Sequence, residues 1–157
     1  MAFSEEENRN IREALFAEAK ARAMTVGTRK TSVEELTNAV GISKGSFYKF
    51  YDSKELLFFV VLESIHTELY RVAKETLAAF SSYSPCERTT ETLLAVCRRL
   101  SETGAMHFIE TDAEHILRRI PEQVKNEHYH SDRIHICELL KEGKLEPRGG
   151  TEIAVAT

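Results

Sequence analysis

The stretch GISKGSFYKFYDSKEL, residues 41–56, places two glycines, three serines, three lysines and four closely spaced aromatic residues together in an acidic chain of 157 residues. Gly41 allows a sharp turn, because glycine has no Cβ to restrict its backbone dihedral angles. Ser43 can cap a short helix that continues through about Tyr51, since a serine hydroxyl accepts a hydrogen bond from the first helical turn. The stretch therefore predicts a tight turn followed by a short helix.

A second predicted helix directly precedes this turn. Ser32 and Glu35 form an S-x-x-E capping box ahead of the apolar residues Leu36 and Val40,. Two helices joined by a three-residue turn make up the helix-turn-helix pattern, in which the second helix enters the major groove of DNA. Small residues at its start let the backbone approach the duplex, and lysines neutralise phosphates. The pattern predicts a DNA-binding surface.

Charge is unevenly distributed along the chain, whose formal net charge is −4. Residues 20–54 contain seven basic and three acidic residues, a local net charge of +4, so the rest of the chain carries −8. The overall charge argues against a protein coated with basic residues. The basic residues instead concentrate around the predicted helix-turn-helix.

The rest of the chain also has helical periodicity, with no convincing alternation of apolar and polar residues that would indicate a strand. Helices are predicted at about 6–24, 53–80, 84–103, 105–119 and 122–141, and TEIAVAT at the end has the spacing of another helix beginning,. Gly27 is expected to end the first of these helices, and Ser84 with Glu87 to cap the start of the helix at 84–103,. The fold class predicted is all-α. A helix-turn-helix domain at residues 1–53 is expected to precede a helical domain at residues 54–157.

Membrane and secreted classes are excluded by other features. The N-terminus MAFSEEENRN is acidic where a signal peptide needs a basic end and an apolar stretch,. The longest apolar run, residues 56–62, is too short to span a bilayer,. Cys86, Cys97 and Cys137 are an odd number without close pairs or metal-type spacing, so reduced thiols are expected,. The sequence predicts a cytoplasmic protein without membrane contact.

A specific motif lies within residues 11–61. The pattern G-[VI]-S-x-G-x-[LF]-Y-x-x-[FY]-x-[SN]-K-x-x-L is matched by Gly41, Ile42, Ser43, Gly45, Phe47, Tyr48, Tyr51, Ser53, Lys54 and Leu57. By this motif the segment resembles the N-terminal DNA-binding domain of the tetracycline-repressor (TetR) family of bacterial transcriptional regulators. Tyr51 and Thr37 depart from the commoner phenylalanine and alanine as packing variations. Lys49 occupies an often aromatic or polar position and is expected to alter which bases are read.

The resemblance implies which residues contact double-stranded operator DNA. Lys54 matches a phosphate-contacting lysine of the family, and the start of the first motif helix meets the DNA backbone. The implied DNA-binding residues are Ser32, Val33, Ser43, Lys44, Gly45, Ser46, Tyr48, Lys49 and Lys54.

A small-molecule effector is also implied by the resemblance, together with repression that the effector relieves. The helices after residue 53 resemble the family's ligand-binding and dimerisation domain only in being helical. Candidate ligand-binding residues are Leu62, His66, Tyr70, Leu93, Cys97, Leu100, Phe108 and Ile116. Most are aliphatic or aromatic, so an apolar effector is expected. Ordinary core packing is the favoured interpretation of each of these residues taken singly.

The histidines late in the chain are possible metal ligands. His128, His130 and His135 lie near Asp132, but no two of these histidines have the i, i+4 spacing that places metal ligands on one helical face,. A solvated helix face is the favoured interpretation, and no metal or cofactor is predicted.

Two further classes of function remain as alternatives. Catalysis by Cys97 with His66 or His107 lacks any local signature, and no glycine-rich phosphate loop exists, so no enzymatic activity is predicted,. A helical protein-interaction module without sequence-specific DNA binding would keep the same scaffold. The lysines of the motif argue against that alternative.

The resemblance further implies a homodimer, which family members form through two C-terminal helices of each subunit. After Gly149 and Gly150 the chain adds only TEIAVAT, whose Ile153 and Val155 have the spacing of a helix face. The expectation is a shortened form that lacks most of the usual dimerisation helices. Such a chain would pair through residues 134–140 or dimerise weakly.

Overall fold

A computed structural model describes residues 3–156 of the protein, with side chains through residue 153, and every regular element in that part is helical. The elements are α1 (Glu5–Ala23), α2 (Val33–Val40), α3 (Lys44–Phe47), α4 (Lys54–Ala79), α5 (Pro85–Thr103), α6 (Ala105–Phe108), a π-helical turn (Ile109–Ala113), α7 (Glu114–Leu117), α8 (Glu122–Gly143) and α9 (Thr151–Ala156). The all-α prediction is confirmed. No helix among these residues is long and apolar enough to cross a bilayer.

Capping boxes define where three of the helices begin. The Ser32 hydroxyl accepts a hydrogen bond of 3.1 Å from the Glu35 N–H, and the Glu35 carboxylate accepts one of 2.8 Å from the Ser32 N–H. These bonds from Ser32 hold the pKa of Glu35 below its ordinary value. Ser84 with Glu87 and Ser4 with Glu7 repeat the arrangement. The boxes predicted at Ser32 and Ser84 are confirmed, because both partners lie within one helical turn.

The helix after the glycine turn is shorter than predicted. It ends at Phe47 rather than near Tyr51. The N–H groups of Lys49 and Phe50 donate to carbonyls three residues earlier, at 3.1 and 2.9 Å, so the chain tightens into turns there,. The prediction of helix through Tyr51 was wrong in this detail, because capping signals mark a helix start better than its end.

Residues 105–117 form a helical segment that contains a π-helical turn. The sequence predicted one uninterrupted helix over 105–119, whereas α6 and α7 flank the wider turn Ile109–Ala113. Such π turns insert an extra residue into a helix and shift the facing of the side chains that follow. Asp112 lies in this turn and is buried.

The chain divides into two compact units by its internal contacts. The first consists of Met1–Ile65 and Thr103–Ile120, and the second of His66–Glu102 and Pro121–Thr157. Contacts thus place residues 54–65 and 103–120 with the helix-turn-helix. The division predicted from the sequence separates a DNA-binding domain, residues 1–53, from a ligand-binding and dimerisation domain, residues 54–157. That functional division stays a prediction.

An apolar core lies in the first unit. Its fully buried large side chains include Leu15, Leu36, Phe47, Leu57, Phe58, Val61, Leu62, Phe108 and Ile116. The rings of Phe58 and Phe108 lie 6.4 Å apart between centroids. The segment 105–117 therefore packs into the same core as the helix-turn-helix and the first turns of α4.

The second unit is joined largely by polar contacts among α4, α5 and α8. Lys74 Nζ lies 3.5 Å from a carboxylate oxygen of Glu138 and 3.4 Å from one of Glu142. Arg99 pairs with Glu68 at 2.9 Å. In α9, Ile153 is exposed. The helix face predicted from Ile153 and Val155 is described only at Ile153, because the Val155 side chain lies outside the described residues.

Candidate DNA-binding surface

The outer face of α3, together with the turn of residues 48–50 that follows it, presents most of the residues predicted to read DNA. Lys44, Gly45, Tyr48 and Lys49 are exposed, and Ser46 is half-buried. Phe47 points inward with no exposed surface, and its ring lies 5.4 Å from the Tyr48 ring in an edge-on arrangement. A buried aromatic residue thus anchors a helix whose polar side chains face outward.

The turn between α2 and α3 is held by backbone and hydroxyl hydrogen bonds. Gly41 has φ 77° and ψ 30°, a left-handed conformation that costs glycine little, and its N–H donates to the Thr37 carbonyl at 2.9 Å,. The Ser43 hydroxyl accepts from the Ser46 N–H at 3.1 Å. These local bonds orient α3 relative to α2.

A concavity of about 370 Å³ brings together residues predicted to contact DNA from three elements. The starts of α2 and α4, the outer face of α3 and the turn that follows α3 surround it, and three acidic residues are part of its lining. Its lining is Ser32, Val33, Glu34, Lys44, Tyr48, Asp52, Ser53, Lys54 and Glu55. Five predicted DNA-binding residues therefore share one space, although they are spread over 23 positions of sequence.

Lys54 makes an internal contact that the sequence did not reveal. Its ammonium donates to the Thr28 carbonyl at 2.9 Å and to the Thr31 carbonyl at 2.7 Å. The side chain thereby ties the start of α4 to the loop between α1 and α2. The phosphate contact predicted for Lys54 stays a prediction, and this lysine also has a role in holding the domain.

Asp112 holds the same loop from the other side. Its carboxylate accepts a hydrogen bond of 3.2 Å from the Thr28 N–H and lies 3.6 Å from Arg29 Nε. Arg29 also donates to the Thr111 carbonyl at 2.9 Å. A Cβ at Gly27, where φ is 81°, would come within 2.5 Å of the Asp112 carboxylate. The glycine therefore allows the buried carboxylate to approach the loop.

Sequence reasoning missed Asp112 because its partner is 84 residues away. Gly27 was interpreted only as the end of the first helix, and an aspartate inside a helical pattern carries no mark of a distant partner. Glu110 and Glu114 flank Asp112 in the same stretch and are exposed, so nothing in the sequence distinguishes the acid that is buried and must find a partner,.

The predicted ligand-binding residues fall in both units. Leu62, Phe108 and Ile116 are buried in the core of the first unit. In the second unit His66, Tyr70 and Leu100 are half-buried, whereas Leu93 and Cys97 are exposed. The ligand role of all eight stays a prediction.

The late histidines do not all lie on a solvated face. His130 is exposed, as that interpretation expects, but His128 is 5% exposed and lies beside His66 of α4 with ring centroids 5.1 Å apart. The interpretation was therefore wrong for His128, because it considered spacing along one helix and not the residue that a neighbouring helix supplies.

The fold and this surface define a class of protein, a helix-turn-helix DNA-binding regulator of transcription. Residues 13–61, from within α1 to the first turns of α4, match the family model described as bacterial regulatory proteins, tetR family. Residues 13–61 thus form a DNA-binding domain of the TetR family, and the resemblance inferred from the motif is confirmed. No curated protein gives a significant match to the chain.

Proposed function

We propose that this regulator is a repressor that a small molecule releases from its operator. The observation that carries the proposal is the contact of Asp112 with Thr28, which joins the helical segment 105–117 to the loop ahead of the helix-turn-helix. A buried hydrogen bond of this kind couples the position of one element to that of the other.

Two contacts give a physical route for the release. Phe108 packs against Phe58 of α4, and Lys54 at the start of α4 holds the loop carbonyls at Thr28 and Thr31. A ligand that binds one arrangement of α4 and 105–117 more tightly shifts the population toward it. The same shift would change the orientation of α3 and weaken its fit to the major groove.

The effector is proposed to be a small, mainly apolar molecule. The residues proposed to bind it are the eight predicted from the sequence. Most of them are aliphatic or aromatic and they include no cluster of like charge, so they suit an apolar ligand,. A thermal-shift screen tests this chemistry directly. Stabilisation by multiply charged metabolites alone would argue against it.

The operator interaction is proposed to involve the outer face of α3. Lys44 of α3 and Tyr48, the residue directly after α3, are exposed, and a Cβ on Gly45 would meet only the Ser43 hydroxyl at 3.9 Å. Nothing within the described chain therefore requires glycine at position 45. Close approach of a DNA backbone is a reason for it that comes from outside the chain.

The experiment begins by selecting DNA fragments of the source genome that the protein binds, followed by screening small molecules for release. Lys44→Ala and Tyr48→Ala should each weaken specific binding by about 1–3 kcal/mol per lost base contact. Lys141→Ala, which removes an exposed charge from α8, is the matched control and should bind like the parent. Parent-like binding by all variants would favour the protein-interaction module instead.

A homodimer is proposed as the operator-binding form, because two recognition helices then read half-sites about 34–36 Å apart. The proposed interface is the α8 surface around residues 134–140, where Ile134 is 44% exposed. Sedimentation over a concentration series tests pairing. Ile134→Asp should raise the dissociation constant at least tenfold, or about 1.4 kcal/mol. Ser81→Asp, with the same charge change in an exposed loop, should leave it unchanged.

A further inference from the structure

The residue ahead of the first helix cap contacts the turn that follows α3. The Phe3 ring centroid lies 6.1 Å from that of Phe50, and Lys49 Nζ lies 5.6 Å from the Phe3 ring centroid. Both rings are half-buried, whereas Lys49 is exposed. The segment before α1 therefore reaches the surface that carries the predicted DNA-binding residues.

The backbone at Phe3 is held by the start of α1. The Ser4 hydroxyl accepts a hydrogen bond of 3.2 Å from the Glu7 N–H, and the Glu7 carboxylate accepts one of 2.7 Å from the Ser4 N–H. The side-chain amide of Asn8 donates to the Phe3 carbonyl at 3.3 Å. These bonds fix the direction in which the chain enters the helix, so the Phe3 ring has a defined place.

The contact made by the Phe3 ring differs from the usual one at this position. An apolar residue directly before a helix cap often packs against an apolar residue at the fourth helical position. In α1 the fourth position is Asn8, whose polar side chain instead bonds the Phe3 carbonyl. The start of α1 thus leaves the ring to pack on the turn after α3, which points to a role outside the helix.

The Phe3 ring restricts the side chain of Lys49. An ammonium within about 6 Å of a ring centroid is attracted by the negative face of the ring. Lysine loses much side-chain freedom when it is ordered, so a lysine that is already restricted loses less on binding a partner. Among the residues with described side chains no carboxylate pairs with Lys49, and its charge stays available to DNA.

A second cation holds the other ring of this cluster. The Arg12 guanidinium of α1 lies 5.4 Å from the Phe50 ring centroid. Phe50 is therefore held to α1 through Arg12, and Phe3 through the helix cap. Since both rings are fixed to the same helix, Lys49 has a rigid support.

We propose that Phe3 is a positioning residue for DNA recognition and holds Lys49 in the orientation that reads the operator. The inference rests on the proposed operator interaction. It adds the segment before α1 to the parts of the chain that set base preference.

The test uses tag-free full-length protein with the tightest-binding duplex selected from the source genome and single-base-pair variants of it. Phe3→Leu stays apolar but removes the ring, and should weaken binding about two- to fivefold, as expected for loss of an exposed cation–π contact. It should lose discrimination at the same base pairs as Lys49→Ala. Phe3→Tyr keeps the ring and should bind like the parent. Phe16→Leu is the matched control, because it removes a ring 5.9 Å from Lys20 within α1, and it should leave binding unchanged.

The double variant separates positioning from general stability. Phe3→Leu should have no further effect on binding in a Lys49→Ala background, because no ammonium is left to hold. Equal weakening in both backgrounds would show a general structural effect and overturn the proposal. Without DNA, the ring current of Phe3 should shift the NMR signals of the Lys49 side-chain protons, and Phe3→Leu should remove that shift. Its persistence in Phe3→Leu would equally contradict the proposed contact.

Failure of this inference is distinguishable from failure of the operator interaction. If Lys44→Ala and Tyr48→Ala weaken binding but Phe3→Leu or Lys49→Ala does not, only the positioning role is wrong. If the parent selects no duplex at all, the operator interaction is wrong and the role of Phe3 falls with it. Thermal melting of each variant confirms that the proteins compared are folded.

Discussion

The two units differ sharply in the apolar surface that they bury. Among the residues whose side chains are described, fifteen buried apolar residues belong to the first unit and two, Ala73 and Leu77, to the second. The second unit instead exposes large apolar side chains, including Leu93 at 60% and Leu94 at 50%. Burial of apolar surface is the main favourable contribution to folding. The first unit therefore contains most of the buried apolar core among the described residues, and the second contains little of it.

Exposed side chains in the two units therefore indicate two different kinds of partner. The exposed residues of α3 and of the turn after it are lysines, a tyrosine and a glycine held over a packed core, which suits a polar partner such as DNA,. The exposed residues of α5 and α8 include leucines and an isoleucine over a thin core. Such a surface indicates a partner that removes it from water, as the proposed homodimer would.

Removal of a core side chain should give the largest effect and the strongest test of the contrast. Phe47→Ala should destabilise the first unit by about 3–5 kcal/mol, because Phe47 is fully buried,. Leu93→Ala removes an apolar side chain that is 60% exposed and should change monomer stability by less than about 0.5 kcal/mol,. Urea denaturation measures the free energy of unfolding of both variants, at a protein concentration low enough for the proposed dimer to dissociate. Similar losses for the two variants would show that the units are equally well packed.

Loss of the buried carboxylate should have the next largest effect. Asp112→Ala leaves the Thr28 N–H without its acceptor and should cost about 1–3 kcal/mol,. Operator affinity should fall with it, because the loop ahead of α2 is loosened. Glu110→Ala, an exposed acid of the same π-helical turn, is the control and should change neither quantity. Unchanged operator affinity in a folded Asp112→Ala protein would contradict the proposed coupling.

Two glycine substitutions should separate folding from DNA binding. Gly27→Ala combines a φ of 81° with a Cβ 2.5 Å from Asp112, and should destabilise the protein by at least about 1 kcal/mol,. Gly45→Ala has open space in α3 and should stabilise the protein by up to about 1 kcal/mol,. Operator affinity should nevertheless fall for Gly45→Ala. Tighter or equal DNA binding by Gly45→Ala would remove the argument for close backbone approach.

The smallest predicted effect concerns pH and His115 of α7. Burial, followed by the charge of Arg119, lowers the pKa of His115 from its usual 6.5, and Glu55 partly opposes this. Below pH 6.5 the unfolded chain then binds a proton that the folded chain does not, so this residue makes stability fall as pH decreases,. His115→Gln should lose less stability than the parent between about pH 7 and pH 5.5 by urea denaturation. An equal loss in both would contradict the prediction.

Features that depend on a few neighbouring residues were predictable from the sequence. The capping boxes at Ser32 and Ser84, the turn at Gly41 and the order of the helices follow from interactions over three or four positions,. The family motif is equally local, because it consists of the glycine of the turn, the serine that caps α3 and residues in and just after α3. The end of α3 was less predictable, because no residue of the sequence marks the point at which the backbone hydrogen bonds change to a spacing of three residues,.

The sequence by itself thus determined an all-α chain with a capped helix-turn-helix and its outward-facing lysines and tyrosine. Only the tertiary structure decided that Asp112 meets Thr28 across 84 positions, that Lys54 reaches the same loop across 26, and that His66 meets Asp132 across 66. Helix periodicity states which face is apolar but not which helix will cover it. Such pairings depend on how whole helices pack, and packing is a property of the complete core rather than of any short segment.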